Sequence, residues 1–265
     1  MATAIRYSRL FAYFVRFSFS RALEFRFDFC FRIVMDLFYY AVNLAFYQVI
    51  FGHTALLAGW NLGQMRVFVA GYLILDALIM TLISNNFWML PILVNKGDLD
   101  YFLIRPVSSL FFLSLRDFAV NSFMNLVMAA GIFVWALRLY EGDKSPGAIA
   151  LYILLILNGT YLYYLVRLLS ILPVFWTHSA RGLESAFWSV SKLSERPDGI
   201  YQGWMRRLLT TVLPFALMSS FPARVLFEGP SWDTLGLIVG VTVALSAFTL
   251  ACWRWGLRSY SSASS

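Results

Sequence analysis

Asp76 stands near the middle of an otherwise apolar stretch, 66–85. A carboxylate there is costly to hold in hydrocarbon, so it must face protein or water and find a partner. It can recognise or gate a cation. It can equally sit in a structural ion pair, or stay protonated and hydrogen-bonded. Arg32 and Arg167, each in another apolar stretch, are the candidate partners. Arg32 and Asp36 are four residues apart and can pair along one helical face, with the arginine snorkelling toward a membrane surface. Arg224 and Glu228 repeat that spacing. Asn121 and Asn125, also four apart, can hydrogen-bond across helices, either as helix–helix glue or as substrate ligands.

A second group lies in the connection at 86–116. There Lys96, Asp98, Asp100 and Arg105 alternate with Leu99, Tyr101, Phe102, Leu103 and Ile104 before Pro106. Pro106 disfavours helix at Arg105, so a short helix ends there. Such a segment can offer an apolar face to another protein while its charges set register. It can also rest on lipid as an interfacial helix.

Catalytic motifs are missing. The sequence has no G-x-S-x-G, no H-E-x-x-H and no G-x-x-x-x-G-K-[ST], so it holds no nucleotide by a P-loop. His53 and His178 fall in different connections, which argues against a histidine metal site, and no metal or cofactor is expected in this chain. Cys30 and Cys252 cannot build a disulfide framework. An ATP-driven role requires another subunit.

The elements that must position these residues are membrane spans. Of 265 residues, 60% are hydrophobic and 13% charged, which excludes a soluble enzyme, a disordered chain and a disulfide-rich secreted module. A span needs about 20 apolar residues. Stretches near 29–52, 66–85, 117–138, 147–175, 208–227 and 234–253 qualify, predicting an all-α integral membrane protein of about six helices. Pro214 and Pro222 bracket the fifth and suggest a broken or re-entrant external segment, tolerated only where protein covers it.

Residues 1–28 read as an amphipathic interfacial helix. Tyr7, Leu10, Phe11, Phe14, Val15, Ala22 and Phe25 share one face with Ser18, while Arg6, Arg9 and Arg16 take the other. Arg16, Arg21 and Arg26 interrupt the apolar run, which excludes a signal peptide. Lys and Arg in the connections number about 15 on the side of the termini, 86–116 and 176–207, against about three on the other. Both termini are therefore expected in the cytoplasm, and 1–265 is expected to form one membrane domain. The net charge of +7 fits this bias and contact with anionic lipid, because no basic run is long enough to track nucleic acid.

Lys96-Gly97-Asp98-Leu99-Asp100-Tyr101-Phe102-Leu103-Ile104-Arg105-Pro106 resembles the motif after the second span in permeases of the ABC type-2 exporter superfamily, and most of all in its bacterial six-span branch. Leu213-Pro214-Phe215 through Phe221-Pro222-Ala223 is similar to that branch's pair of proline motifs. Trp255-Gly256-Leu257-Arg258-Ser259-Tyr260 and the serines after it resemble its closing signature. The resemblance implies a non-enzymatic permease of the bacterial inner membrane, pairing with itself or a sister permease. Each permease would dock a cytoplasmic ABC ATPase that holds the ATP and Mg. The segment around 92–105 would be the coupling helix, with Lys96, Asp98, Leu99, Asp100, Tyr101, Phe102 and Arg105 at the contact, and residues 1–28 the connecting helix. The branch is associated with export, including that of viologen-like cations. Two other classes stay open: an ion-driven secondary carrier, which predicts related halves, and a lipid-modifying membrane enzyme, which needs a polar cluster at one membrane face.

Overall fold

Local chemistry sets several helix starts. Asn61 accepts from the Gln64 N–H at 2.9 Å and the Gln64 side chain accepts from the Asn61 N–H at 3.0 Å, a reciprocal cap. Ser145 accepts from the Ala148 N–H just ahead of Pro146, whose fixed φ suits a first turn. The structure is a computed structural model. It describes residues 2–22, 26–179 and 181–260, with side chains at 6–20, 30–31, 33–120, 122–179 and 181–260. Arg32 and Asn121, two of the candidate polar side chains, lie outside the described ones, as do Phe25 and 261–265.

Among the described residues the helices run α1 Ala2–Ala22, α2 Arg26–Phe51, α3 Leu62–Leu82, α4 Ser84–Lys96, α5 Asp100–Leu103, α6 Ser109–Leu115, α7 Val120–Leu139 and α8 Pro146–Ile171. They continue with α9 Val174–Thr177, α10 Arg181–Ser191, 3-10 turns at Lys192–Glu195 and Asp198–Ile200, α11 Gly203–Thr211, α12 Phe215–Glu228 and α13 Trp232–Ser259. Five of them (α2, α3, α7, α8 and α13) are long and apolar enough to span. The fold is an all-α integral membrane architecture, as expected.

α3 forms the centre: 67% of its most apolar stretch is buried, against 11% in α2 and in α13. Those two helices therefore leave most of their surface uncovered by the rest of the chain. α7, α8 and α12 close around α3. Gly71 leaves room for the Tyr152 ring, which stacks on Phe133 with centroids 5.2 Å apart. Gly159 lets the backbone of Met218 approach so closely that a Cβ would lie 2.8 Å from its Cα. Pro222 has no N–H to give the Met218 carbonyl, so the regular helical bond is missing from α12 at this contact.

The course of the fifth crossing differs from the sequence expectation. At the outer end Trp60, Tyr140 and Phe227 make one ring cluster. At the inner end Asn86 exchanges two hydrogen bonds with Asp117, Ser18 accepts from Phe118, and Asn95 donates to the His178 carbonyl. Beyond His178 the chain climbs. Phe187 meets Tyr163 and Phe215, the Glu195 carbonyl accepts from Tyr47, and Gly199 touches Ala58 in the outer loop. Eleven α-helical residues followed by the two 3-10 turns cover about 30 Å. The crossing is thus made by 181–200, not by 208–227, and Arg196 and Arg206 stand toward the outer end rather than in the cytoplasm.

α11 and α12 then form a hairpin bent by 92°. α12 starts at mid-depth beside Phe187 and returns to the outer cluster at Phe227. Its 14 residues are too short to span. The hairpin is re-entrant from the outside, which accounts for Pro214 and Pro222. Ile200 is 41% exposed at the turn. With Cys30 and Cys252 replaced by Ser, Ile200→Cys is expected to react with a membrane-impermeant maleimide added to intact cells, whereas Arg105→Cys reacts only after permeabilisation. The reverse pattern would return 181–200 to the cytoplasm.

Candidate functional site

The connection after α3 folds into a stiff elbow. Gly97, at φ 78°, ends α4 in the left-handed conformation that glycine adopts without strain. The chain turns back so that the Leu99 N–H reaches the Leu93 carbonyl at 3.2 Å and the Leu99 side chain is fully buried. α5 is a single turn. Phe102 packs on Phe112 with centroids 5.4 Å apart, between the guanidinium groups of Arg105 and Arg116. Arg105 also lies 4.8 Å over the Phe112 ring. Tyr101 and Ile104, by contrast, are 65% and 81% exposed, with Lys96 and Arg105 exposed beside them and Asp98 and Asp100 half-exposed.

The expected contact set therefore divides. Leu99 and Phe102 anchor the elbow from within. Tyr101 and Ile104 form its outward apolar tip, flanked by the charges. Ile104 belongs with the tip, and its lack of any inward partner marks it. Just past α13, Tyr260 lies beside the elbow, where burial and then the charge of Asp100 push its hydroxyl above its ordinary pKa.

α1 buttresses the same elbow. Its apolar face meets protein, not lipid alone. Tyr7, Phe14 and Phe11 make edge contacts with Phe111, Phe112 and Phe118. The one polar residue on that face, Ser18, accepts from the Phe118 N–H at 3.0 Å, which explains its presence there. The Tyr7 hydroxyl accepts from the Ser108 N–H at 2.9 Å.

Inside the membrane the polar residues sort differently from their sequence pairing. Arg167 does not meet Asp76. It bonds Glu184 at 3.0 Å and lies about 5 Å from the Phe187 and Trp188 rings. Its attachment is to α10, whose place in the membrane the sequence concealed. Asp36 accepts from Asn125 Nδ2 at 2.6 Å, so Asn125 does bond across helices. Arg224 turns from Glu228 to Asp198, donating to both carboxylate oxygens at 2.7 and 2.8 Å, and Arg206 joins them at 3.0 Å.

Asp36 and Asp76 line one cleft of about 410 Å³, with Glu195 and Lys192 from the fifth crossing and an aromatic wall of Tyr39, Tyr72, Tyr163 and Trp188. Asn125 Oδ1 is buried there without a hydrogen-bond partner. Among the described residues, three acids and one free acceptor thus face one amine. Glu195 escaped sequence reading because 176–207 looked cytoplasmic. Among the described residues no three His, Cys, Asp or Glu side chains stand together as a metal-ligand set.

A family model described as ABC-2 family transporter protein matches residues 37–264. The chain belongs to the ABC-2 transporter family. The match runs from near the middle of α2 to residue 264 and leaves out α1 and the first part of α2, Asp36 included. Neither a curated protein nor a solved structure matches the chain. As an ABC-2 permease it is a multi-pass membrane protein of a family whose members generally work with separate ABC ATPase subunits and are themselves non-catalytic. In this permease the elbow and the cleft each bring charged side chains to an accessible surface, one at the end of the bundle that holds the connection between α3 and α7 and one among the long apolar helices.

Proposed function

We propose that this ABC-2 permease is the membrane subunit of an ATP-driven exporter in a bacterial cytoplasmic membrane. Two permeases, identical or sister chains, enclose the path, and each docks one cytoplasmic ABC ATPase that holds ATP and Mg. The observation that carries this reading is the elbow: an exposed apolar tip, Tyr101 with Ile104, on a base fixed by buried Leu99 and Phe102. A tip of that kind suits a groove in a soluble partner, with Lys96, Asp98, Asp100 and Arg105 setting register. Closure of the ATPase pair would push the elbow as a unit. Because α4 continues from α3, the push would enter the central helix and change the packing around the cleft.

The test is transport in inside-out vesicles. Export by this assignment needs the permease, its ATPase and ATP together, and survives collapse of the proton gradient. Transport by the permease alone, abolished by a protonophore, would instead identify an ion-driven carrier.

The cleft is the proposed contact for the transported compound. Its acidic excess and aromatic wall suit a positively charged one. Asp76→Asn keeps the shape and removes one charge. It is expected to leave assembly intact and to lower transport of cationic substrates about 10- to 100-fold, the worth of one charged hydrogen bond. Loss of assembly instead would make Asp76 structural.

A further inference from the structure

Arg6, Arg9 and Arg105 converge on one open cavity of about 570 Å³ at the cytoplasmic end, between α1 and the elbow. Arg6, Arg9 and Tyr13 line it from α1 together with Leu10, which sits at the border of the apolar face rather than within it, and the far wall is Val107 and Phe112. Among the described residues no carboxylate lines this cavity. Arg6 donates to the Pro106 carbonyl, and Arg105 Nε donates to the Tyr101 carbonyl at 3.2 Å. Backbone carbonyls orient these guanidinium groups but do not cancel their charge. The neighbouring face of α1 packs on α6 and the start of α7 through Tyr7, Phe11, Phe14 and Ser18, and the cavity opens beside that contact, with Phe112 shared between them. Its chemistry calls for an anion, and guanidinium forks match phosphate oxygens well.

Position identifies which anion. α1 lies level with the inner ends of α3 and α7, and its Tyr13 and Phe17 are exposed as interfacial aromatics are. The cavity thus opens into the headgroup layer, with an apolar wall beside its charges. We propose that an acidic phospholipid of the cytoplasmic leaflet seats its phosphate among Arg6, Arg9 and Arg105. Its glycerol ester region lies against Leu10, Val107 and Phe112, and the lipid clamps α1 to the elbow. This holds whether or not an ATPase docks there.

The experiment uses the full chain, purified in detergent and stripped of lipid. Phosphatidylglycerol is expected to raise its thermal midpoint at concentrations where phosphatidylcholine does not. Arg6→Gln with Arg9→Gln should weaken that response roughly 30-fold, about fivefold per basic side chain. If the double variant does not purify, Arg9→Gln alone, at an exposed position, should weaken it roughly fivefold. Equal stabilisation by phosphatidylcholine, or an unchanged response in the variants, overturns the proposal. So does an equal response to inorganic phosphate or to soluble glycerophosphoglycerol, which would mark a plain anion site. Loss of ATPase co-purification in lipid-free detergent, with lipid affinity unchanged, would assign the cavity to a protein partner and also overturn it.

Discussion

Replacing Asp198 by Ala is expected to lower the stability of the purified permease by about 3 kcal/mol. The carboxylate is wholly buried and accepts from two arginines, Arg224 at 2.7 and 2.8 Å and Arg206 at 3.0 Å, while its own N–H donates to Ser220. Removing it leaves two cations around a hole. Breaking a buried pair usually costs about 3–5 kcal/mol. The low end applies here because Arg206 and Arg224 keep 44% and 24% of their side-chain surface in contact with the surroundings. The re-entrant hairpin should loosen first, since Asp198 ties α11 and α12 to the fifth crossing. Denaturant or thermal unfolding in detergent measures the loss. Glu228→Ala serves as control, because Arg224 does not use Glu228. Equal effects from the two substitutions would refute the anchoring role.

The second large effect is on assembly. Tyr101→Ser with Ile104→Ser should remove two exposed anchors worth about 2 kcal/mol each or more, a combined loss on the order of 1,000-fold in ATPase affinity. The permease itself should keep its stability within about 0.5 kcal/mol, as exposed substitutions generally do. Leu99→Ala is the informative contrast. It deletes a fully buried side chain and should cost about 2–5 kcal/mol of stability. Asp98→Arg with Asp100→Arg should also uncouple the partners by reversing the charges that set register. ATPase co-purification and transport that survive all of these changes would remove the docking assignment.

Much of the architecture was legible because its signals are local. Asn61 with Gln64, Ser145 with Pro146, and Gly97 each mark a helix end by short-range chemistry, and the apolar runs between them measure out spans. The fifth crossing was not legible, since Glu184, Lys192, Glu195 and Arg196 lower its hydropathy below that of a span. Their compensation is tertiary. Arg167 answers Glu184 from α8, and Arg196 lies over the Phe46 ring of α2. The proline signature at 214 and 222 did foretell a broken or re-entrant segment, but not that another stretch makes the crossing. At the elbow, composition identified the segment and could not say which residues face inward. Leu99 and Tyr101 are both apolar in pattern, and only the left-handed turn at Gly97 decides that one is buried and the other exposed.

The joint between α1 and the elbow has a mechanical consequence. Tyr7, Phe14 and Ser18 bolt a 21-residue rod to the segment between Ser108 and Phe118. Any stroke applied at α5 must drag that rod sideways through the inner leaflet. The bilayer then acts as a load on the stroke, and its lateral pressure and chain order set how far the elbow travels. Transport should therefore track membrane fluidity even when nucleotide is saturating.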